Sequence, residues 1–289
     1  MVQTTLLVGA FATSCFFAPI FPLRLLQRRV YIAAVLATLP TGFVYFVVIY
    51  SLPLHFQVVN EKSALIAGIG LLPMLGSAAI GSMLGGMLSA KKNMIWQVLL
   101  VAACLMAIGT GLLSTLSVQL RTEPKAYGFQ VFVGLGFGLT VSNVSMLAAI
   151  ESELRDHAVA QGIMAQARIF GGSIGIAAST AYLAVIERKE LAGIVAPDQL
   201  TSLESSAATF TPAQLLALRR AYAHAFDKTL QVTAIVACCG FLLTLGTIQR
   251  NPPDLVTRGK EQVTEEMRRQ QALKGPQEEK ESTGGPDMV

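Results

Sequence analysis

Charged side chains are scarce in this sequence of 289 residues. Asp, Glu, Lys and Arg make up 14% of the chain and hydrophobic residues 53%, and the mean hydropathy is +0.55. A soluble domain carries about 25% charged residues, so this chain has too few to cover a surface that faces water. The composition argues against a soluble enzyme, a nucleic-acid-binding protein and a disordered chain.

Cysteine and histidine are also rare, with four and three copies. The cysteines all lie in apolar stretches, which argues against a disulfide framework and against a zinc site. They are Cys15, Cys104, Cys238 and Cys239. No nucleophile–base pair stands out along the chain. We therefore predict that the protein is not an enzyme and holds neither a cofactor nor a metal.

Long stretches without a charged residue dominate instead. A helix that crosses about 30 Å of hydrocarbon needs about 20 apolar residues. Seven stretches, the sixth interrupted by a single Arg, are long enough: Met1–Leu23, Val30–Asn60, Ser63–Ala90, Asn93–Leu120, Ala126–Ile150, His157–Ile186 and Thr229–Gln249. They lack the polar–apolar alternation of barrel strands, and open sheets are excluded from lipid. The sequence predicts an all-α, polytopic transmembrane helix bundle of about seven spans.

Basic residues in the connections indicate the orientation of the bundle. Arg24, Arg28 and Arg29 follow the first predicted span, and Lys91 and Lys92 follow the third. Arg and Lys gather in the cytoplasmic connections of membrane proteins. Since the C-terminal tail lies on the same side and is also rich in Arg and Lys, we expect a cytoplasmic C-terminus.

Two polar segments do not fit a membrane span. The 187–228 connection is expected to be a long extracytoplasmic loop, in which an interfacial helix over 212–224 begins after the start signal Thr211. The segment 251–289 is rich in Glu, Lys, Gln and Gly. We expect it to be a largely disordered cytoplasmic tail, with a short helix near 260–273.

Glycines recur at helical spacing in two of the spans. Gly81 and Gly85 form one GxxxG pair, and Gly171 and Gly175 form another with Gly172 beside them. Lipid supplies little hydrophobic drive between helices, so close approach at small residues carries their packing. These glycines are predicted helix-packing positions.

Arg168 is the sharpest candidate for a functional residue, because it is charged and lies inside a predicted span. It lies eleven residues after His157, about 16 Å along a helix. It either contacts a substrate or influences a distant carboxylate, or it bonds backbone carbonyls in a structural role. Gln166 and Asn143 either line a polar pathway or join neighbouring helices by a hydrogen bond.

Aromatic residues form a second candidate surface. Phe43, Phe46 and Tyr50 recur at spacings of three and four, so they share one helix face. Such a face suits a bulky apolar substrate, and it is equally compatible with ordinary packing or lipid contact. His55 lies at the outer end of the same span, where we expect it to be solvated.

Several segments together resemble one transporter family. They are 19–29 (PIFPLRLLQRR), 45–59 (YFVVIYSLPLHFQVV), 63–73 (SALIAGIGLLP), 81–93 (GSMLGGMLSAKKN) and 156–175 (DHAVAQGIMAQARIFGGSIG). Their order and spacing resemble the C-terminal half of fungal drug:proton antiporters of the major facilitator superfamily, the fourteen-span type. The resemblance covers about residues 1–250.

The resemblance implies a division of the chain and a function. Residues 1–29 would form a connecting transmembrane helix with a basic cytoplasmic loop, and 30–250 a six-helix bundle. The family exports drugs, toxins or secondary metabolites in exchange for protons. The chain would then be a multi-pass efflux transporter of the plasma membrane. Its partners would be lipid, a small organic substrate and protons, with no nucleic acid.

The family's N-terminal half has no counterpart in this sequence. Alternating access requires two bundles that rock around a central site. We therefore expect a product truncated to its C-terminal half, which works with a separate N-terminal half or with a second copy. The alternative is a membrane scaffold without transport, or an inactive relic of such a transporter.

Overall fold

Helices account for all regular structure in the described part of the chain. The computed structural model describes residues 27–92, 94–115, 124–190, 211–248, 257–269 and 271. Six helical stretches within these residues are long and apolar enough to cross a membrane. Each overlaps one of the predicted spans, whereas the predicted first span, Met1–Leu23, lies outside the described residues.

The six spans are built from seven helices. Their bounds are α1 (Arg29–Val58), α2 (Ala64–Ile69), α3 (Leu72–Lys92), α4 (Ile95–Leu113), α5 (Lys125–Glu151), α6 (His157–Glu190) and α7 (Pro212–Thr244). The short α2 and the longer α3 form one span. The break between them follows from Pro73, because proline lacks an N–H group and its ring clashes with the carbonyl four residues earlier. Proline is tolerated in the first turn of a helix, and Pro73 lies there in α3.

Glycines set the distance between paired helices. A Cβ atom added to Gly81 of α3 or to Gly138 of α5 would lie less than 3.0 Å from backbone atoms of the other helix. The same is true between α1 and α6 at Gly42 and Gly171. The remaining predicted packing glycines face side chains of the neighbouring helix: Gly85, Gly172 and Gly175. Close backbone contact of this kind is what holds helices together in lipid.

The connection between the last two spans is shorter than its polarity suggests. The prediction of a loop over 187–228 is wrong, because α6 continues to Glu190 and α7 begins at Pro212. The start signal at Thr211 is confirmed, since its side chain accepts a hydrogen bond from the Gln214 backbone in a capping box. The predicted interfacial helix over 212–224 is instead the first part of α7.

The short helix predicted near 260–273 is present in the tail, where residues 257–269 form it. This tail helix contacts the end of α5. Gln262 is buried, and its Nε2 donates hydrogen bonds to the carbonyl oxygens of Ala149 and Ser152 at 3.2 and 2.7 Å. Arg269 pairs with Glu153 at 2.9 Å. The hydrogen bond from Arg269 to this carboxylate, together with its negative charge, raises the pKa of Arg269 above its usual value.

Charged side chains join the helix ends on both sides of the bundle. On the side of the tail helix, Arg28 donates to Glu151 at 3.3 Å and so joins the start of α1 to the end of α5. On the opposite side, Glu61 pairs with Arg219 of α7, and Lys62 lies 3.4 Å from the Tyr127 hydroxyl. The apolar middle of the bundle therefore lies between two charged layers, as a membrane protein requires.

Candidate functional site

Arg168 is the twelfth of the 34 residues of α6 and lies near the middle of the candidate span Leu154–Glu187, where α6 is packed closely against α1. The backbone carbonyl of Arg168 lies against Gly42 of α1, and Gly171, one turn later in α6, lies against Leu39. Both contacts leave no space for a side chain at the glycine. The two glycines fix the rotation of α6 and direct the Arg168 side chain towards α5.

The guanidinium of Arg168 contacts an aromatic ring of α5. Its Cζ atom lies 5.8 Å from the centroid of the Phe137 ring. The Nε atom is buried and has no hydrogen-bond partner within the described ranges. Among the residues that the structure describes, no carboxylate forms an ion pair with Arg168.

A second aromatic side chain extends this arrangement to α1. The rings of Tyr45 and Phe137 are stacked, with centroids 3.5 Å apart and planes inclined by 9°. Tyr45 is buried and Phe137 is half-buried. Three helices thus contribute to one cluster, which we call the Arg168 cluster: Tyr45 of α1, Phe137 of α5 and Arg168 of α6.

The aromatic contact compensates only part of the free-energy cost of placing the Arg168 guanidinium in the membrane. A guanidinium at the centre of a bilayer costs about 2.5–3.5 kcal/mol on insertion scales. A cation–π contact returns about 0.5–2 kcal/mol. The part of the cost that the aromatic contact does not recover favours binding of an anion or water to the guanidinium at this site.

Asn143 lies in a different part of the bundle. It is buried between α5 and α3, and the Ser89 hydroxyl donates to its Oδ1 atom. Its Nδ2 atom donates to the Leu139 carbonyl at 2.8 Å. Both ends of the amide are thus occupied within the protein, as expected for a residue that joins two helices. The structure does not bring Asn143 to the Arg168 cluster.

Gln166 is exposed at the surface of the bundle, and the structure therefore separates it from the side chains around Arg168. A glutamine that the sequence analysis missed, Gln161, donates to the Ser145 carbonyl of α5 at 2.7 Å. It lies five residues before Gln166, so the two side chains point in nearly opposite directions on α6.

The three predicted aromatic residues of α1 divide into two groups. Phe43 and Phe46 pack against α6, where they contact Gly175 and Gly172. Tyr50 is 39% exposed and lines an open cleft between α1, α6 and α7. The shared face exists, but only its outer end is open to a ligand.

His55 lines the same cleft, together with Tyr222 and Phe226 of α7. Its ring lies 4.3 Å from the Phe226 ring, centroid to centroid. His55 is half-buried rather than fully solvated, because α7 begins earlier than the sequence indicated and places Phe226 against its ring.

Within the described ranges, no group of three His, Cys, Asp or Glu side chains could hold a metal ion. His157 of α6 is engaged elsewhere, since its Nε2 atom lies 2.6 Å from the Ala149 carbonyl oxygen.

The comparison with known proteins points to transport. No family model matches the chain. It is 28% identical to the MFS-type transporter FPY5 of Fusarium mangiferae over 81% of its length. It is also 28% identical to the efflux pump notK of an Aspergillus species, over 90% of its length, and to the efflux pump hmp6 of Hypomyces subiculosus, over 85%. The chain is therefore similar to fungal MFS-type transporters over most of its length. These relatives are named for transport and not for catalysis.

The fold agrees with this relationship. A bacterial homologue of the human lysosomal transporter Spinster, in an inward-facing conformation, superimposes with a TM-score of 0.54 at 18% sequence identity. The match covers 78% of this chain and 49% of that structure. The chain likewise spans 40% of FPY5 and 46% of notK. It therefore corresponds to less than half the length of these relatives.

Proposed function

We propose that the chain is one six-helix half of a major facilitator efflux transporter, which exports a small organic molecule in exchange for protons. One observation carries the proposal: six spans match about half of a transporter structure, and fungal MFS-type transporters are similar over four fifths of the chain. A single bundle has nothing to rock against. The proposal therefore includes a second six-helix bundle, either an N-terminal half or another copy of this chain.

Charge distribution supports the orientation that goes with this function. Arg28 and the tail helix lie at the same end of the bundle, because both contact the end of α5. Basic residues favour the cytoplasmic side. We accordingly assign the start of α1 and the C-terminus to the cytoplasm, and the protein to the plasma membrane.

The Arg168 cluster is the proposed substrate contact of this half. It combines a charge that is incompletely compensated with a stacked aromatic pair, near the middle of the candidate span. Ligand sites commonly combine aromatic walls with a few well-placed polar groups. Phe43 and Phe46 hold α1 and α6 together beside this site, whereas Tyr50 contacts ligands only at the outer end.

An efflux assay with separate halves tests the proposed function. The chain is expressed in yeast alone, with the N-terminal half of FPY5, or with an unrelated six-span membrane protein as control. Cells are loaded with a fluorescent dye that pumps of this kind export. We expect export only with the FPY5 half, and we expect a protonophore to abolish it.

Two results would contradict this function. The first is co-purification of the two halves without any export of the dyes tested, which would favour the membrane-scaffold alternative. The second is export by the chain together with the unrelated protein, since the second bundle would then contribute nothing specific. Export that continues after the protonophore would remove the proton-exchange part of the proposal.

A further inference from the structure

The position of Arg168 narrows the class of ligand that the bundle binds. Its guanidinium lies among three helices in the middle of the span and contacts the face of the Phe137 ring. Contact with a ring face leaves the edge of the guanidinium free, and that edge carries its five N–H donors in a planar fork. The buried Nε–H group has no acceptor in the part of the chain described.

The fork of an arginine matches one chemical group especially well. A carboxylate accepts two parallel N–H···O bonds from it, and such charge-assisted bonds are about twice as strong as neutral ones. A hydroxyl or an ether oxygen accepts a single bond and brings no charge. An intramembrane guanidinium without a carboxylate partner among the described residues of its own bundle therefore discriminates between organic acids and neutral molecules.

The neighbouring rings define the rest of the ligand. Tyr45 and Phe137 present a stacked pair next to the guanidinium, and Phe137 is only half-buried. Tyr45 and Arg168 lie over the Phe137 ring, so an aromatic ligand meets its exposed edge, in an edge-to-face arrangement with ring centroids about 4.5–7 Å apart. A ligand that joins an aromatic ring to a carboxylate satisfies both parts of the Arg168 cluster.

We propose that Arg168 binds the carboxylate of an aromatic organic acid, whose ring packs beside Tyr45 and Phe137. The proposal rests on the proposed transport function for its biological meaning. The binding itself requires neither transport nor a second bundle. The carboxylate comes from the ligand, and not from an acidic side chain of a second bundle.

A matched pair of probes tests this directly. The full chain is purified into nanodiscs of uncharged phosphatidylcholine at pH 8, where a carboxylic acid is ionised. Binding of 1-pyrenebutyric acid and of 1-pyrenebutanol is followed by fluorescence anisotropy, with empty nanodiscs subtracted. We expect the acid to bind about tenfold more tightly than the alcohol, the preference that one charge-assisted bidentate contact supports.

Variants assign the preference to one residue. Arg168→Gln should remove it and leave the affinity for the alcohol unchanged. Arg168→Lys keeps the charge but loses the planar fork, so it should retain a smaller preference. Arg155→Gln is the matched control, because Arg155 lies exposed in the short 3-10 turn Leu154–Asp156 before α6 and pairs there with Glu153 and Asp156; it should behave as the wild-type chain does.

Equal binding of the two probes to the wild-type chain would overturn the proposal, as would an acid preference that survives in Arg168→Gln. Should Arg168→Gln fail to fold, an unchanged preference in Arg168→Lys would count against the bidentate contact. Failure of the efflux assay leaves the binding result standing, and a negative binding result leaves the efflux assay standing. The two proposals can therefore fail separately.

Discussion

At Gly171 the backbone of α6 comes so close to α1 that a methyl group would overlap the Leu39 carbonyl. Gly162 lies on the same helix, and a Cβ atom there would meet nothing within 4 Å. Alanine substitutions at Gly171 and Gly162 separate the effect of helix contact from that of helix propensity. Gly→Ala favours an isolated helix at both positions by up to about 1 kcal/mol, but only Gly171 contacts a neighbouring helix.

We predict that Gly171→Ala destabilises the bundle by about 1–3 kcal/mol, the usual cost of forcing atoms into a packed interface. Gly162→Ala should be neutral or slightly stabilising. Unfolding of the purified chain in mixed micelles with increasing SDS measures both. Equal stability of the two variants would show that α1 and α6 do not approach each other as closely as the structure has them.

The sequence identified Arg168 but not its neighbours. A single charge in an apolar stretch is visible without a structure. Phe137 was missed because glycines flank it on both sides, and that pattern indicates packing rather than a site. Tyr45 was outside the predicted aromatic face for a similar reason: spacing shows which residues share a face, but not which face meets a neighbouring helix.

At the scale of the elements, the tail helix docks on the end of α5 through the buried amide of Gln262 and the pair of Arg269 with Glu153. The buried Gln262 amide occupies carbonyl groups at the end of α5 that have no partner within that helix. The side chain of Thr264, on the opposite face of the tail helix, bonds only to the Lys260 carbonyl of its own helix. Substitution of Gln262 therefore removes contacts with α5, whereas substitution of Thr264 changes only a bond within the tail helix.

We predict that Gln262→Ala speeds amide hydrogen exchange in residues 257–269 by about fivefold or more, because about 1 kcal/mol of docking energy is lost with the hydrogen bonds. Thr264→Ala should leave this exchange unchanged. Hydrogen exchange followed by mass spectrometry on the full chain measures both. Identical exchange in both variants would mean that the tail helix does not depend on α5.

The length of α7 explains why its start could not be found from hydropathy. At 33 residues it is about 50 Å long, well beyond the roughly 30 Å of hydrocarbon. Its first half carries Arg219, Arg220, Asp227 and Lys228, so a search for charge-free stretches finds only its second half. The capping signal at Thr211 was the better guide, because it depends on local backbone hydrogen bonds and not on the membrane.

For the whole molecule, the exposed surface of the bundle is rich in large apolar side chains. They are present on every span, and examples are Leu65, Met83, Val101, Phe132, Ile174 and Ile235. Water would disfavour so large an apolar surface. Hydrocarbon does not disfavour such a surface. The long apolar stretches that predicted the spans therefore also explain why so many large apolar side chains of the described helices are exposed and not in a core.

The pairing of helices could not be predicted from the sequence in the same way. Charge-free stretches give the number of spans, but each span is apolar on most sides and carries little information on its rotation. Rotation is decided by close contacts such as Gly81 with Leu135 and Gly138 with Ala78. Asn143 shows the consequence, because its role depends on whether it faces α3 or the interior.

The central claim is that six helices cross a bilayer, with the start of α1 and the C-terminus in the cytoplasm. Glycosylation mapping in yeast tests it most directly. An Asn-X-Thr acceptor is inserted between Glu190 and Thr211 in one version and at the C-terminus in another. The unaltered chain is the control, because its own Asn143-Val144-Ser145 acceptor lies buried within α5.

We predict glycosylation of the first version alone, detected as a shift in mass that an endoglycosidase reverses, with all three chains remaining in the membrane pellet after extraction at pH 11. A glycosylated C-terminus would invert the orientation. Release of the unaltered chain into the alkaline supernatant would contradict the membrane bundle itself, and with it the proposed transporter half.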